Sequence, residues 1–267
     1  MLKRIKRTAS FIQSKVGFEP EIGIILGTGL GGLVDSIEIH AALNYADIPD
    51  FPVSTVKGHH GRLIFGMLGG HRVVAMQGRF HHYEGYPTQE VVFPVRVMGL
   101  LGIKRLFVSN ASGGLNTSFR VGDLMVITDH INLLPNPLIG PNIEELGTRF
   151  PDMHNCYDRD MIALATKTAD AMGIKLQYGV YVGSTGPTFE TQAEYRYFKI
   201  IGADATGMST TPEVIAARHM GLPVFAVSVI TNCGLSEEMG DHEDVQRQGA
   251  KAGVLMTQLF EQMIKQL

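Results

Sequence analysis

Cysteine is nearly absent from this chain. Cys156 and Cys233 are the only two in 267 residues, and neither belongs to a CxxC pair. That argues against a disulfide scaffold and against a cysteine-based zinc site. Charge is sparse as well: 18% of residues are charged and the formal net charge is −3. Without a basic excess there is no electrostatic footprint for nucleic acid or an anionic membrane, so any anion the protein binds must be held by local groups. No stretch approaches the roughly 20 apolar residues that a membrane span needs. The N-terminal MLKRIKRTASFIQSKV has no continuous apolar core behind its basic residues, unlike a secretory signal. It reads as an amphipathic helix with Ile5, Phe11, Ile12 and Val16 on one face. No HExxH or comparable ligand spacing is present, and no metal is expected. These absences together lead us to expect a soluble protein of a reducing, cytoplasmic compartment.

What the chain does have is apolar residues, 45% of the total, enough for a large core. Short β-rich runs are read at Ile22–Leu26, Leu63–Phe65, Val73–Met76, Leu106–Ser109, Leu124–Thr128, Gly179–Val182 and Val224–Ile230. Helical patterns fall at Gln89–Leu101, Arg159–Met172, Thr191–Ile201, Pro212–Met220 and Val245–Lys265. Strands and helices of this size in alternation predict an α/β sheet covered on both faces. IGIIL and VFAVSVI are apolar throughout, as central strands buried on both sides should be. No linker, repeat or composition break divides residues 1–267, which predicts one domain. The Pro/Gly/Asn-rich segment Ile131–Asp152 is long for a connection and is expected to be functional or to lie at an interface. Leu235–Asp241 reads as a second loop.

Six motifs stand at the ends of these runs. Gly27-Thr28-Gly29-Leu30-Gly31-Gly32 follows IGIIL and satisfies the dinucleotide pattern GxGxxG. The acid that pattern wants about 20 residues later would be Asp47, which lies in Pro-punctuated loop. The same glycines could serve close backbone packing, or form a nest of N–H groups holding phosphate beside the Thr28 hydroxyl. Arg79 and His81 in RFHHYEGYP are two apart and project to one side, a guanidinium fork and an imidazole donor suited to an oxyanion. SNASGG (109–114) ends an apolar strand where α/β sheets bind ligands, though it could be a plain polar turn. In GPTFET (186–191), Glu190 beside Phe189 reads first as a dipole-favoured acid at a helix start, and second as a base-recognition pair. In GMSTTPE (207–213), Thr211 as cap and Pro212 at the first helical position account for the end but not for Met208 and Ser209. Asn232 closes VFAVSVIT and must satisfy a buried amide, within the protein or on a ligand.

Taken in order, GTGLGG, HHGR, RFHHYEGY, SNASGGLN, DHINL, GPNIEELGTRFP, GPTFETQAEYR, GADATGMSTTPEVIAARHMGL and VITN span nearly the whole chain. The set resembles the trimeric purine nucleoside phosphorylase family. The resemblance implies a single α/β domain with a central mixed, partly barrel-like sheet flanked by helices, assembled as a homotrimer. It implies reversible phosphorolysis of 6-oxopurine (deoxy)ribonucleosides, inosine and guanosine, to the free base and (deoxy)ribose 1-phosphate. Inorganic phosphate is then a co-substrate, and no cofactor is expected. Phosphate would be held by Thr28, His59, Arg79, His81, Ser209 and the backbone N–H of Ala111. Tyr83, Met208 and His242 would line the ribose, Glu190 and Asn232 would bond the purine, and Phe189 would pack on its face. Phe150 would reach into a neighbouring subunit's site. Asn232, Glu190 and His81 would carry the catalytic roles, and Asn at 232 would favour inosine and guanosine over adenosine. The rival reading, an NAD-dependent oxidoreductase, rests on GTGLGG alone.

Overall fold

A computed structural model describes residues 1–28, 30–53, 61–234 and 242–267, with the side chains at 242–246 and 251 outside the description. The run IGIIL forms β1 (Ile22–Leu26), buried at every position. Ile22, Ile24 and Leu26 enter one apolar layer and Ile25 the other, as an all-apolar central strand requires. In β9 (Val224–Cys233), Phe225, Val227 and Val229 face one layer while Val224, Ala226 and Ile230 face the second. β1 runs parallel to β4 (His71–Gln77) and to β5 (Arg105–Gly114), and β5 runs parallel to β9. Four mutually parallel strands put four carboxyl ends on one edge, where such sheets bind ligands.

β2 (Glu38–Asn44) and β3 (Arg62–Leu68) extend the sheet antiparallel beyond β4. On the other side β5 pairs with β8 (Ala205–Gly207), then come β7 (Leu176–Gly183), β6 (Leu124–Asn132) and β9. Because β9 also pairs with β5, the strands β5, β8, β7, β6 and β9 close into a barrel. The architecture is the mixed, partly barrel-like sheet that the resemblance implied. Two strands escaped the sequence reading. β2 has no buried position and so no apolar run, and β8 is three residues long.

α1 (Leu2–Val16) buries Ile5, Ile12 and Val16 as expected, with Thr8 and Ala9 beside them, and leaves Phe11 partly buried. The single helix expected over Gln89–Leu101 is two, α2 (Thr88–Val91) and α3 (Phe93–Leu100). Pro94 opens α3 and has no N–H to continue the ladder from α2. α4 (Arg159–Met172), α5 (Gln192–Ile200), α6 (Thr211–His219) and α7 (His242–Ile264) fall close to their expected places. Phe260 of α7 packs on Phe107 and Phe225 with ring centroids 5.2 and 5.9 Å apart. Each buried ring stabilises the fold by about 1.5–3 kcal/mol. Among the described residues no helix is long and apolar enough to cross a membrane.

The long Pro/Gly segment begins later than expected, since β6 runs on to Asn132. Beyond it the chain is irregular but pinned to α6. Asn142 donates to the Gly147 carbonyl at 3.0 Å and contacts His219 Nε2 at 3.1 Å. Gly147 lies so close to α6 that a Cβ there would sit 1.7 Å from the His219 carbonyl oxygen.

Candidate active site

A cleft opens where β1, β4, β5 and β9 end, the edge at which such sheets hold small molecules. One irregularity in the sheet sets its floor. Ser112 pairs with Ile230, but Gly113 pairs with Asn232, so Thr231 is an extra residue in β9. Such a bulge re-aims the next side chain, here placing Asn232 on the cleft wall. Gly113 makes room for it: a Cβ would stand 3.2 Å from Asn232 Nδ2. The Thr231 hydroxyl lies 3.2 Å from Asn232 Oδ1 and donates to it, and it stands 3.3 Å from the Ser112 carbonyl.

Glu190 shares that end of the cleft. It does not cap α5, as its position first suggested. Thr191 does so, accepting from Glu194 N–H while the Glu194 carboxylate accepts from Thr191 N–H at 2.7 Å. Relieved of that role, Glu190 Oε1 accepts from the hydroxyls of Thr206 at 2.8 Å and Ser184 at 3.3 Å. Phe189, 40% exposed, and Met208 line the same wall.

Arg79, also on the cleft wall, is 1% exposed. Part of the expected fork is engaged by a carboxylate. Nε and Nη2 bond the Glu213 carboxylate at 3.1 and 2.9 Å, because a buried guanidinium requires a counter-charge. Nη1 donates to the Ser109 carbonyl at 2.7 Å and to Ser209 Oγ at 3.2 Å, which joins the guanidinium to the cleft's hydroxyls. Glu213 also accepts from Thr210 N–H at 3.0 Å. Thr210, not Thr211, therefore caps α6, while Thr211 Oγ1 donates to Asn132 Oδ1 at 2.7 Å. Thr210 adopts φ 67°, a strained conformation for a β-branched residue. Asn110, donating to its hydroxyl at 2.9 Å, helps to hold it there.

His81 Nδ1 lies 3.1 Å from Glu84 Oε1, which also accepts from the His81 backbone N–H at 2.8 Å. The Tyr83 ring stacks on the imidazole at 4.7 Å. Burial holds His81 below the ordinary histidine range, with the Arg79 charge adding to it and Glu84 opposing. The ring is thus neutral near pH 7, with Nδ1–H given to Glu84 and the lone pair on Nε2. Burial and the Glu84 charge push the Tyr83 hydroxyl up to about 12.

Thr28, leaving β1, borders the cleft, as does Ala111. Gly27 answers to packing: a Cβ would meet Asn110 Cα at 2.7 Å and the Ser109 carbonyl oxygen at 2.8 Å. The chain beyond runs into a 3-10 turn, Gly31–Ser36, not the long helix of a dinucleotide site. Asp47 sits in a turn, accepting from Asn44 at 2.9 Å.

Ten of the anticipated residues therefore meet in one cleft: Thr28, Arg79, His81, Tyr83, Ala111, Phe189, Glu190, Met208, Ser209 and Asn232. His59 lies outside the described residues, as does the loop at 235–241. His242 opens α7, with its side chain outside the description. Phe150 is not in this cleft. It is 85% exposed, over a separate groove near Ile139, with the Arg149 guanidinium 5.6 Å from its ring. The sequence reading flagged SNASGG without giving Asn110 or Ser112 a role, and it missed Tyr195 and Thr206 in the cleft wall and Glu213 behind it. Asn110 and Ser112 left a signal, two polar residues at strand spacing in an apolar run; the others left none. Among the described residues no group of three or more His, Cys, Asp or Glu could hold a metal.

The profile of the phosphorylase superfamily matches residues 21–265. Purine nucleoside phosphorylase 1 of Bacillus subtilis is 53% identical over 260 residues, covering 96% of each chain. The crystal structure of Schistosoma mansoni purine nucleoside phosphorylase in complex with inosine superposes with a TM-score of 0.94 at 47% identity, covering 100% of this chain and 97% of that one. Its complex with adenosine superposes equally well, with a TM-score of 0.94 at 47% identity, covering 100% of this chain and 98% of that one.

Proposed function

The chain belongs to the phosphorylase superfamily, and from that premise we propose that it catalyses reversible phosphorolysis of 6-oxopurine nucleosides, giving the base and ribose 1-phosphate. The observation that carries the reading is the lining of the cleft. An acid and an amide, Glu190 and Asn232, line it together with a second group, Arg79, Ser209 and His81, in which Arg79 Nη1 donates to Ser209 Oγ at 3.2 Å. A purine presents an N–H and acceptor atoms to the first, and phosphate takes the second.

As the glycosidic bond stretches, the ribose becomes cationic and the base anionic. Asn232 donates to N7 or O6 of the departing base, and Glu190 accepts from N1–H. In the second group Ser209, held by Arg79 Nη1 at 3.2 Å, and the Thr28 hydroxyl donate to phosphate with the Ala111 N–H. The neutral His81, with its lone pair on Nε2, takes a hydrogen bond from the protonated oxygen of hydrogen phosphate. Fixed donors aimed at developing charge typically contribute about 100- to 1000-fold each, and seating phosphate beneath C1′ supplies much of the remainder. His59 and His242 belong to the same proposal, at phosphate and at the ribose 5′-hydroxyl.

The relative's crystals hold adenosine as well as inosine, which supports reading selection between 6-oxo and 6-amino bases as a matter of turnover rather than of access to the cleft. We extend the proposal to a cytoplasmic homotrimer serving purine salvage, in which Phe150, exposed and outside its own cleft, completes a neighbour's. The scarcity of cysteine suits that compartment. The deciding assay is hypoxanthine release from inosine with and without phosphate, with adenosine as the comparison. Release that ignores phosphate, or its absence, ends the reading.

A further inference from the structure

Arg96 is a buried cation without a counter-charge. It stands on α3, is 5% exposed and lines a second pocket that shares no described residue with the cleft. Its Nε is buried with no hydrogen-bond partner, and among the described residues no carboxylate pairs with the guanidinium. Burial alone lowers its titration from the ordinary arginine value, yet a guanidinium keeps its proton. Arg79, buried likewise, has the Glu213 carboxylate on two of its nitrogens. An uncompensated charge of this kind is costly to bury, and folds ordinarily pair it.

The same pocket holds a second polar atom without a partner. His219, at the end of α6, is 4% exposed and lines the pocket, and its Nδ1 is buried with no hydrogen bond. The state of that nitrogen follows from its neighbours. Asn142 gives Nδ2 to the Gly147 carbonyl at 3.0 Å, which turns its Oδ1, an acceptor only, to His219 Nε2 at 3.1 Å. In the neutral ring Nε2 therefore carries the hydrogen and Nδ1 the lone pair. Burial, then the Arg96 charge, holds His219 below the ordinary histidine range, against smaller pulls from the Thr148 and Gly147 carbonyls and Glu144. The ring is thus neutral near pH 7. The apolar wall of Pro137, Leu138 and Ile139 is pinned in place: Gln89 Nε2 donates to the Ile139 carbonyl at 3.2 Å and Arg149 Nη1 to the Leu138 carbonyl at 3.1 Å.

We propose that this pocket is a second anion site that takes a phosphate group, with Arg96 donating to its charged oxygens and His219 Nδ1 accepting from its protonated oxygen. A guanidinium fork suits such an oxyanion, and apolar walls strengthen the attraction by lowering the local dielectric. Hydrogen phosphate supplies both features, a charged edge and an O–H. Sulfate supplies the charge alone. The pocket is separate from the cleft, for Glu213 in the first turn of α6 holds Arg79, and His219 stands about 9 Å farther along the helix axis. Nothing in this assignment requires the cleft itself to bind phosphate.

Arg96→Met keeps the length of the side chain and removes its charge. Calorimetric titration with inorganic phosphate counts the sites in each protein. The parent is expected to bind one phosphate per chain more than Arg96→Met, whether or not the cleft adds another to both. At the site so defined, sulfate is expected to bind about tenfold more weakly, the loss of one hydrogen bond to a charged group. Ribose 5-phosphate is the second probe. Tighter binding than inorganic phosphate assigns the site to phosphorylated sugars, and weaker binding assigns it to free phosphate; each keeps the phosphate chemistry. Thermal melts in phosphate-free buffer give an independent reading. Relieved of an uncompensated charge, Arg96→Met is expected to melt at or above the parent there, and the parent to gain on it as phosphate is added. Equal phosphate counts in the two proteins, or sulfate bound as tightly as phosphate, overturn the site. So does a variant that melts well below the parent without phosphate, or fails to fold, because the guanidinium is then satisfied by protein, its own or a second copy's.

Discussion

Replacing Glu213 with Gln keeps the shape of the Arg79 partner and removes its charge. Arg79 is 1% exposed, and both Nε and Nη2 face that carboxylate at 3.1 and 2.9 Å. Removing one partner of a buried ion pair costs about 3–5 kcal/mol, because the remaining charge is desolvated without compensation. For 267 residues, an unfolding entropy of about 2.1 cal/mol/K per residue gives about 0.56 kcal/mol/K, so the melting temperature falls by roughly 5–9 °C. Phosphate reverses part of this. On the proposed reaction, Arg79 of the parent meets the anion already neutralised by Glu213, and in Glu213→Gln its full charge meets the dianion. We expect phosphate to bind the variant about fivefold tighter, an extra increment of roughly 1 kcal/mol or about 2 °C. Thermal melts of both proteins across a phosphate series measure the two terms separately. A variant as stable as the parent, or one that gains no more from phosphate than the parent does, refutes the reasoning about the pair.

Asn232→Ala is expected to lower kcat on inosine by about 100- to 1000-fold, and near-normal turnover in steady-state kinetics removes the amide from the mechanism. His130, whose Nδ1 meets the Tyr157 hydroxyl at 2.9 Å, is held down to about 4 by burial, against the pull of Asp129. Its folded value lies below the unfolded one, so its stabilisation is complete above about pH 6.5 and drains away as pH falls towards 4. In His130→Gln, urea midpoints at pH 7.5 and 4.5 then show an acid loss smaller by about 2 kcal/mol, after allowance for partial exposure; equal losses in the two proteins exclude His130 as the cause. Gly147→Ala puts a Cβ 1.7 Å from the His219 carbonyl oxygen and is expected to destabilise by about 3 kcal/mol in urea denaturation. Wild-type stability in that variant means that the 133–158 segment is not packed on α6 as described.

The strands easiest to read from sequence were those with both faces buried, because IGIIL and VFAVSVI have no other sensible place. β2 was illegible for the opposite reason: none of its positions is buried, and its pairing is carried by backbone groups that any sequence supplies. At the site, single motifs were ambiguous where one residue type serves two ends. Gly27 looked like a cofactor turn and is in fact required by the approach of Asn110 and Ser109. Glu190 looked like a helix cap until its neighbour Thr191 was seen to hold that place. Glu213 and Arg79 are 134 positions apart in sequence, and nothing local announces their pairing. The φ of 67° at Thr210 is likewise a product of its surroundings, since no threonine prefers it.

A chain with net charge −3 is an unlikely-looking host for a phosphate dianion, and on the proposed reaction the site resolves this through balance rather than through cations. Arg79 is matched by Glu213, and His81 is neutral with its Nδ1–H on Glu84. Among the described residues, what then faces the anion is largely hydroxyls, a backbone N–H and one guanidinium edge. On the proposed reaction this is the useful arrangement. A cluster of unpaired cations would bind phosphate deeply in the ground state and oppose the positive charge that the ribose acquires as its bond to the base stretches. Dipoles hold the dianion in place but leave much of its charge uncompensated, so that its strongest attraction is reserved for the cationic sugar. Binding strengthened chiefly as the transition state forms is the kind that raises turnover rather than affinity alone. On the proposed reaction, the pairing of Glu213 with Arg79 would contribute to rate as well as to folding, by keeping phosphate loosely neutralised until the sugar beside it becomes the better partner.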